Sequence, residues 1–287
     1  MSTVFANMDS QVQGVQFGLQ TYVFTVSGPR TGILDTIVQC MVDCRIGECE
    51  AYGPVLEPGD LSDRARSQTA TAEERAQARA DLAKWRASVP LAYYEGIRKK
   101  FNDAGVDIWA YTANFGQTDE DIERALAQAK ALGAKVISTG MGMAAARRVA
   151  PFAEKHGLLI GLQGVPNGNG ANPDQIRHPE QFLEAVALSK QFRLCFDIGD
   201  ATGGGWDALQ FVRDHPEIIA MIYVKDRKKD NTSVPYGEGD TPVKQILQLI
   251  RDKKYPIRAY IDCDYRTEGT RSDAVKRSYE YAKAALA

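Results

Sequence analysis

Short apolar runs alternate along the chain with longer runs whose apolar residues recur at intervals of three and four. "GVQFGLQTYVF" reads as a strand, and "GILDTIVQCMVDC" after it has helical spacing. "IGECEAYG" is a second strand. A third, "GVDIWAYTANF", follows the helix "LAYYEGIRKKFNDAG" with its glycine stop. "TDEDIERALAQAKALGA" opens on a capping Thr or Asp and leads to "KVISTG". The alternation then couples "AAARRVAPFAEKHG" to "LLIGLQG", "PEQFLEAVALSKQF" to "RLCFDIGD", "WDALQFVRDHPE" to "IIAMIYVKD", and "TPVKQILQLIRDKKY" to "PIRAYIDCDY". "SDAVKRSYEYAKAALA" closes the chain. The strands are apolar almost throughout, as parallel strands covered on both faces are. The pattern predicts an α/β fold, a single-domain (β/α)8 barrel over 14–287 with 1–13 as an N-terminal extension.

One segment breaks the repeat. Residues 61–90, "LSDRARSQTATAEERAQARADLAKWRASVP", lengthen the second βα connection and are expected to be a helical insertion. Its Ala/Arg/Glu-rich half reads as a solvated surface helix, with a lid or an oligomer contact as the alternatives.

Composition narrows the function class. The chain has 287 residues, 44% hydrophobic and 25% charged, which is enough for one large core. A net charge of −2, with Lys and Arg spread along the chain, argues against nucleic-acid and membrane-surface roles. No apolar run approaches the roughly 20 residues of a membrane span. Five cysteines, an odd number without tight pairing, suit a reducing compartment, and the start lacks signal-peptide character. A cytoplasmic location is therefore expected, with a removed export signal and a homo-oligomer left open.

Active sites of such barrels lie at the C-terminal ends of the strands. Candidates there are Gln20 and Tyr22; Glu50 and Tyr52; Trp109, Tyr111 and Asn114; Ser138 and Thr139; Gln163 and Asn167; Asp197 and Asp200; Tyr223, Lys225, Asp226 and Arg227; and Asp262, Asp264 and Tyr265. The mouth is thus acidic with an aromatic lining, which suits a carbohydrate or polyol. His156, His178 and His215 fall at a helix end or before prolines. The chain therefore offers no histidine-centred triad and no zinc site of His or Cys type.

"FGLQTYVF", "GECEAYG", "KKFNDAGVDIWAY", "VAPFAEKHGL", "FDIGDATGGGWD", "YVKDRKK" and "YGEGDTP" together resemble the sugar phosphate isomerase/epimerase group, the xylose-isomerase-like TIM barrels. The likeness runs from about Gly14 to the C-terminus. It is specific for fold rather than reaction, since the group includes isomerases, epimerases, dehydratases, endonucleases and lyases acting on keto-glycosides. The resemblance implies one divalent metal held at the ends of the fifth to eighth barrel strands by Glu or His, then Asp, His and Glu. At those places stand Gln163, Asp197, Tyr223 and Asp262. Only Asp197 matches in kind, and a tyrosine replaces the metal histidine. Asp200 occupies the place of a substrate-contacting histidine. Arg227 matches a position that binds substrate oxygens.

The resemblance thus implies proton abstraction alpha to the carbonyl of a ketose or keto-sugar. Asp262 and Glu50 are the candidate base and acid, while Gln163, Asp197, Asp262 and Tyr223 are the candidate metal ligands. Hard oxygen donors favour Mn²⁺ or Mg²⁺ over Zn²⁺. A phenol with an ordinary pKa of about 10 is a poor ligand, which leaves a metal-free alternative. There, Lys225 or Asp262 moves the proton and Tyr223 donates to an enediolate. Tyr22, Trp109, Asn167, Asp200 and Arg227 are expected to touch substrate. A lyase or hydrolase of 3-keto-glycosides, and a non-catalytic carbohydrate-binding barrel, remain as alternatives. Asp197 and Asp200 also have a plainer reading, as the turn and cap of a βα loop.

Overall fold

The computed structural model describes residues 8–164 and 174–287. Eight parallel strands close a barrel in chain order. They are β2 (Val15–Gln20), β3 (Glu48–Tyr52), β4 (Asp107–Thr112), β5 (Val136–Gly140), β6 (Leu159–Gln163), β7 (Phe192–Asp197), β8 (Ile219–Val224) and β9 (Arg258–Ile261). β9 pairs back onto β2 through Phe17–Ala259, Gly18–Tyr260 and Leu19–Ile261. A short β1 (Gln11–Val12) pairs antiparallel with the start of β2.

Helices α1 (Ile33–Cys44), α2 (Gly59–Arg66), α3 (Ala72–Ser88), α4 (Leu91–Asp103), α5 (Asp119–Leu132), α6 (Met143–His156), α7 (Pro179–Val186), α8 (Ile198–Gly203), α9 (Ala208–Asp214), α10 (Val243–Lys253) and α11 (Arg271–Ala285) fill the connections. Their ends follow local chemistry. Thr71, Thr118 and Thr270 close capping boxes with Glu74, Asp121 and Asp273. Gly133 and Gly157 end α5 and α6 in left-handed backbone, where a side chain is disfavoured. α10 buries Val243, Ile246, Leu247 and Ile250, one stripe at helical spacing, against the sheet layer. Among the described residues no helix is long and apolar enough to cross a membrane.

α2 and α3 lie between β3 and α4, within 61–90 and its approach. They pack on each other through Leu61, Ala65, Ala78 and Leu82, a small cluster separate from the main core. The first strand is shorter than its sequence suggests, because Thr21–Thr25 forms a 3₁₀ turn. Gln20 Oε1 accepts from Tyr22 N at 2.7 Å. Thr21 Oγ1 donates to Glu50 O at 2.9 Å and accepts from Tyr52 N at 2.8 Å, so a side chain takes over where the ladder stops.

The barrel interior is filled by Ala110, Val136, Cys195, Met221, Tyr223 and Tyr260, with Trp109 and Leu159 against them. Its floor is polar. Tyr260 Oη donates to Glu48 Oε1 at 2.6 Å, Arg258 Nε lies 3.0 Å from the same oxygen, and the Arg258 guanidinium sits 4.1 Å over the Trp109 ring. Tyr260 fits because Gly18 faces it. A Cβ on Gly18 would fall 2.6 Å from the Tyr260 ring. Gly18→Ala is therefore expected to lower stability by about 1–3 kcal/mol, the usual scale of overpacking. Urea unfolding of both proteins checks this, and an unchanged midpoint would show that the ring can move aside.

Candidate active site

The mouth is organised around Lys225, the first residue beyond β8. Its Nζ lies 2.9 Å from Asp197 Oδ2, 3.0 Å from Asp262 Oδ2, 3.4 Å from Asp264 Oδ2 and 3.9 Å from Asp200 Oδ1. Arg227, two residues on, reaches Asp200 Oδ1 through Nε at 2.9 Å and Asp264 Oδ2 through Nη2 at 3.1 Å. Two cations thus face four carboxylates. They line a cavity of about 300 Å³ with Gln20, Tyr22, Tyr52, Thr112, Gln163 and Tyr223.

Local sequence explains how the cluster is held. Asp197 ends β7 and caps α8, its Oδ1 accepting from Asp200 N at 2.8 Å while Oδ2 faces Lys225. Asp197 therefore caps α8 with one oxygen and faces the Lys225 ammonium with the other. Gly199 lets the Lys225 stem pass, since a Cβ there would lie 2.9 Å from the lysine's Cβ and Cγ. Asp226 is structural: its carboxylate accepts from Gly237 N at 2.7 Å, Gly239 N at 3.0 Å and Thr241 N at 3.3 Å. The "YGEGDTP" stretch is thereby folded into a loop behind Arg227. A Cβ on Gly239 would strike Asp226 Oδ1 at 2.1 Å. Arg227 is fixed further by Asn231, whose side-chain and backbone oxygens lie 2.8 and 3.0 Å from Nη1.

Burial and mutual repulsion set the charges. Burial of Lys225, only 6% exposed, favours the neutral amine. Asp197 and Asp262, followed by Asp200 and Asp264, override this and hold its pKa well above the ordinary lysine range. Burial pushes Asp262 up to about 7, with Asp264 and Asp197 adding to the rise and Lys225 opposing it. Its Oδ1 is buried without a hydrogen-bond partner. Burial and Asp197 push Asp200 up to about 6, against Lys225 and Arg227. Asp264 goes the other way: Lys225, Ser233 and Arg227 outweigh its burial and lower its pKa.

A second network, without a lysine or arginine, lies beneath. Tyr223 Oη donates to Glu50 Oε1 at 3.1 Å and contacts Ser138 Oγ at 2.8 Å. Thr112 Oγ1 also donates to Glu50, and Gln163 Nε2 to both Ser138 and Tyr223. Glu50 is fully buried, and burial raises its pKa against the hydroxyls around it.

Several sequence expectations are corrected. Glu50 does not face the cavity, because Tyr223, Thr112 and Ser138 enclose it. Tyr223 lines the cavity, and its hydroxyl is engaged by Ser138, Gln163 and Glu50 within that network. Trp109 stands at the floor rather than the mouth. The β3–β4 register steps from Cys49–Ile108 to Glu50–Ala110, and this bulge leaves Trp109 unpaired and turned toward Arg258. Asp197, Asp200, Lys225, Arg227, Asp262, Gln163 and Tyr22 do meet at one cavity. Asn167 lies outside the described residues. Gln20 and Asp264, strand-end candidates without a role, also belong to the mouth, as does Thr112, which is not among the candidates named from sequence. Gln20 and Thr112 are the last residues of β2 and β4, and Asp264 lies three residues past the end of β9 at Ile261.

As arranged, the residues do not fit a divalent ion. Asp197 and Asp262 already neutralise an ammonium, and Gln163 and Tyr223 are bonded to each other. Among the described residues no group of three or more His, Cys, Asp or Glu side chains is placed to hold a metal.

A larger cavity of about 650 Å³ adjoins the first, sharing Tyr52, Thr112 and Gln163. Trp85 and Arg86 of α3 form one wall, and Tyr94, Tyr111, Asn114 and Arg124 form others. Arg86 is paired with Glu57 at 2.6 Å.

The family model described as xylose isomerase-like TIM barrel matches residues 80–285, and the chain belongs to that family. No functionally curated protein matches it significantly in sequence. Solved structures share the fold at low identity. The probable 3-DHS dehydratase AsbF of Bacillus anthracis is 13% identical, with a TM-score of 0.65 over 93% of this chain and 98% of that one. A sugar phosphate isomerase/epimerase of Parabacteroides distasonis is 16% identical, with a TM-score of 0.61 over 99% and 98%. The IolI protein, solved with a bound zinc atom, is 12% identical, with a TM-score of 0.67 over 95% and 98%.

The raised acids make stability depend on pH. An unfolded Asp titrates near 3.9. Between about pH 4 and pH 7 the folded state therefore holds more protons than the unfolded one, and this contribution to stability falls as pH rises through that window. Asp262→Asn removes one such acid. Its stability relative to the parent is expected to be more favourable at pH 8 than at pH 5, by on the order of 2 kcal/mol. Denaturant melts at the two pH values measure the gap, and a gap independent of pH would contradict the assignment.

Proposed function

We propose that the protein is an isomerase- or epimerase-type enzyme that moves a proton alpha to the carbonyl of a ketose or keto-sugar, with Lys225 supplying the positive charge. The observation that carries this reading is the pair of carboxylates with raised pKa on either side of one fully paired ammonium. An enediolate needs a base, an acid and a fixed cation within one cavity. Asp200, at about 6, is mostly ionised at neutral pH and serves as base. Asp262, at about 7, retains a larger share of its proton and serves as acid. The roles exchange in the reverse direction. Lys225 keeps its proton and meets the charge that develops on the substrate oxygen. In this reading Arg227, Gln20 and Tyr22, which line the cavity, orient hydroxyl groups, and the family's sugar isomerases and epimerases are in keeping with a small carbohydrate substrate.

Asp200→Asn and Asp262→Asn are each expected to lower turnover by at least about a hundredfold, the scale of general acid–base groups. The parent should show a bell-shaped pH dependence with limbs near 6 and 7, belonging to the pair rather than to either residue alone. Incubating a panel of free and phosphorylated ketoses in D2O reads exchange at the alpha carbon by NMR, whatever the product. Sugar binding without exchange would favour the non-catalytic carbohydrate-binding barrel.

The adjoining 650 Å³ cavity favours a second reading, elimination from a keto-glycoside. The same carboxylate removes the alpha proton, the bond to the glycosidic oxygen breaks, Asp262 protonates that oxygen, and the released group occupies the larger cavity. Trp85→Ala is then expected to lower kcat/KM on keto-glycosides relative to free ketoses by about tenfold, the loss of one ring contact. Equal effects on both substrate classes would remove this reading.

A further inference from the structure

The four strand-end positions at which the family resemblance implies metal ligands are divided between two closed sets. Gln163 and Tyr223 bond each other and Ser138. Asp197 and Asp262 both face Lys225 Nζ, at 2.9 and 3.0 Å, and Asp264 completes that shell at 3.4 Å. The ammonium therefore lies where three carboxylate oxygens from β7 and β9 converge. Nothing about the lysine is adventitious. Its side chain is 7% exposed, Gly199 leaves room for its stem, and Asp197 is oriented toward it by capping α8 with its other oxygen.

We infer that Lys225 is a resident cation taking the place of a divalent metal ion, and that its positive charge alone keeps a latent hard-metal site closed. What the cation does in a reaction rests on the function proposed above. Where it sits does not, and metal binding can be read without any substrate.

Without the ammonium, three carboxylate oxygens would face one point, hard donors of the kind that Mg²⁺ and Mn²⁺ take, although as placed they do not yet form a metal site. A metal of that class needs ligand oxygens at about 2.0–2.1 Å. The shell must therefore contract around the ion, and water completes the coordination. The buried Asp262 Oδ1, which has no partner, is a further oxygen that gains from a nearby cation. While Lys225 is present, a divalent ion would have to share the shell with a like charge in a buried site.

The experiment is a Mn²⁺ titration, followed by water-proton relaxation and calorimetry, of the parent and of Lys225→Met. The parent is expected to bind no Mn²⁺ at the mouth up to millimolar concentration. Lys225→Met is expected to bind one Mn²⁺ at least about tenfold more tightly than the parent, and to melt at a higher temperature with Mn²⁺ than with chelator. Lys225→Gln, which can still hydrogen-bond the carboxylates, replaces the Met variant if that one does not fold, with the same expected result. Micromolar Mn²⁺ binding by the parent that is lost in Asp197→Asn would overturn the inference. So would a folded Lys225→Met or Lys225→Gln that binds no Mn²⁺. Either result leaves the deuterium-exchange measurement, and with it the proposed function, to stand or fall separately.

Discussion

A buried ammonium and a ring of buried carboxylates are each untenable alone and stable together. Lys225 without its acids would shed its proton, and the acids without Lys225 would repel one another where burial limits their hydration. The mouth of the barrel is built to hold this one arrangement. β7, β8 and β9 supply Asp197, Lys225 and Asp262 at adjacent strand ends, which brings oppositely charged groups from three different strands within 3.0 Å. The pairing leaves an excess of carboxylate. That excess, with burial, keeps Asp262 and Asp200 partly protonated near neutral pH while Asp264 stays ionised. The same imbalance that reduces stability at high pH thus produces two groups able to exchange protons there.

The surrounding structure serves mainly to fix these side chains. Asp197 spends one oxygen on the N-terminus of α8 and so cannot rotate freely. Asp226 gathers the backbone N–H groups of Gly237, Gly239 and Thr241, which folds the loop that backs Arg227. Arg227 is held on opposite sides by Asn231 and by Asp200 with Asp264. Each hold comes from a hydrogen bond whose partner is close in sequence or on the next strand, so the geometry follows once the barrel closes.

Much of this was legible from sequence and some was not, for definite reasons. The alternation of apolar runs and helical stripes located all eight barrel strands, and strand ends located the acids, Lys225 and Arg227. Periodicity says which residues stand at an end, but not which neighbour each one meets. Lys225 and Asp262 are 37 positions apart in the chain, and only the barrel's curvature shows that they touch. Trp109 stands below the mouth because it is the third residue of β4, three before the strand's end at Thr112, and an apolar run does not show where its strand stops. Glu50 sits at a strand end as expected, yet the hydroxyls of Thr112 and Tyr223 cover it, and covering is a property of three strands at once.

The division of the expected ligand positions into a charged and a neutral network explains why the departures from the family pattern are mutually consistent. A histidine in place of Tyr223 would lose the phenol that donates to Glu50, and it would still face a shell filled by Lys225. A glutamate in place of Gln163 would bring another carboxylate beside Glu50, whose charge burial already disfavours. The neutral residues at these two positions therefore suit a buried carboxyl below them and a lysine above them. Reverting either one singly would leave a polar group unsatisfied rather than restore a ligand. On this physical account the mouth is one coherent arrangement built around the Lys225 ammonium, which carboxylates from the ends of β7 and β9 hold in place.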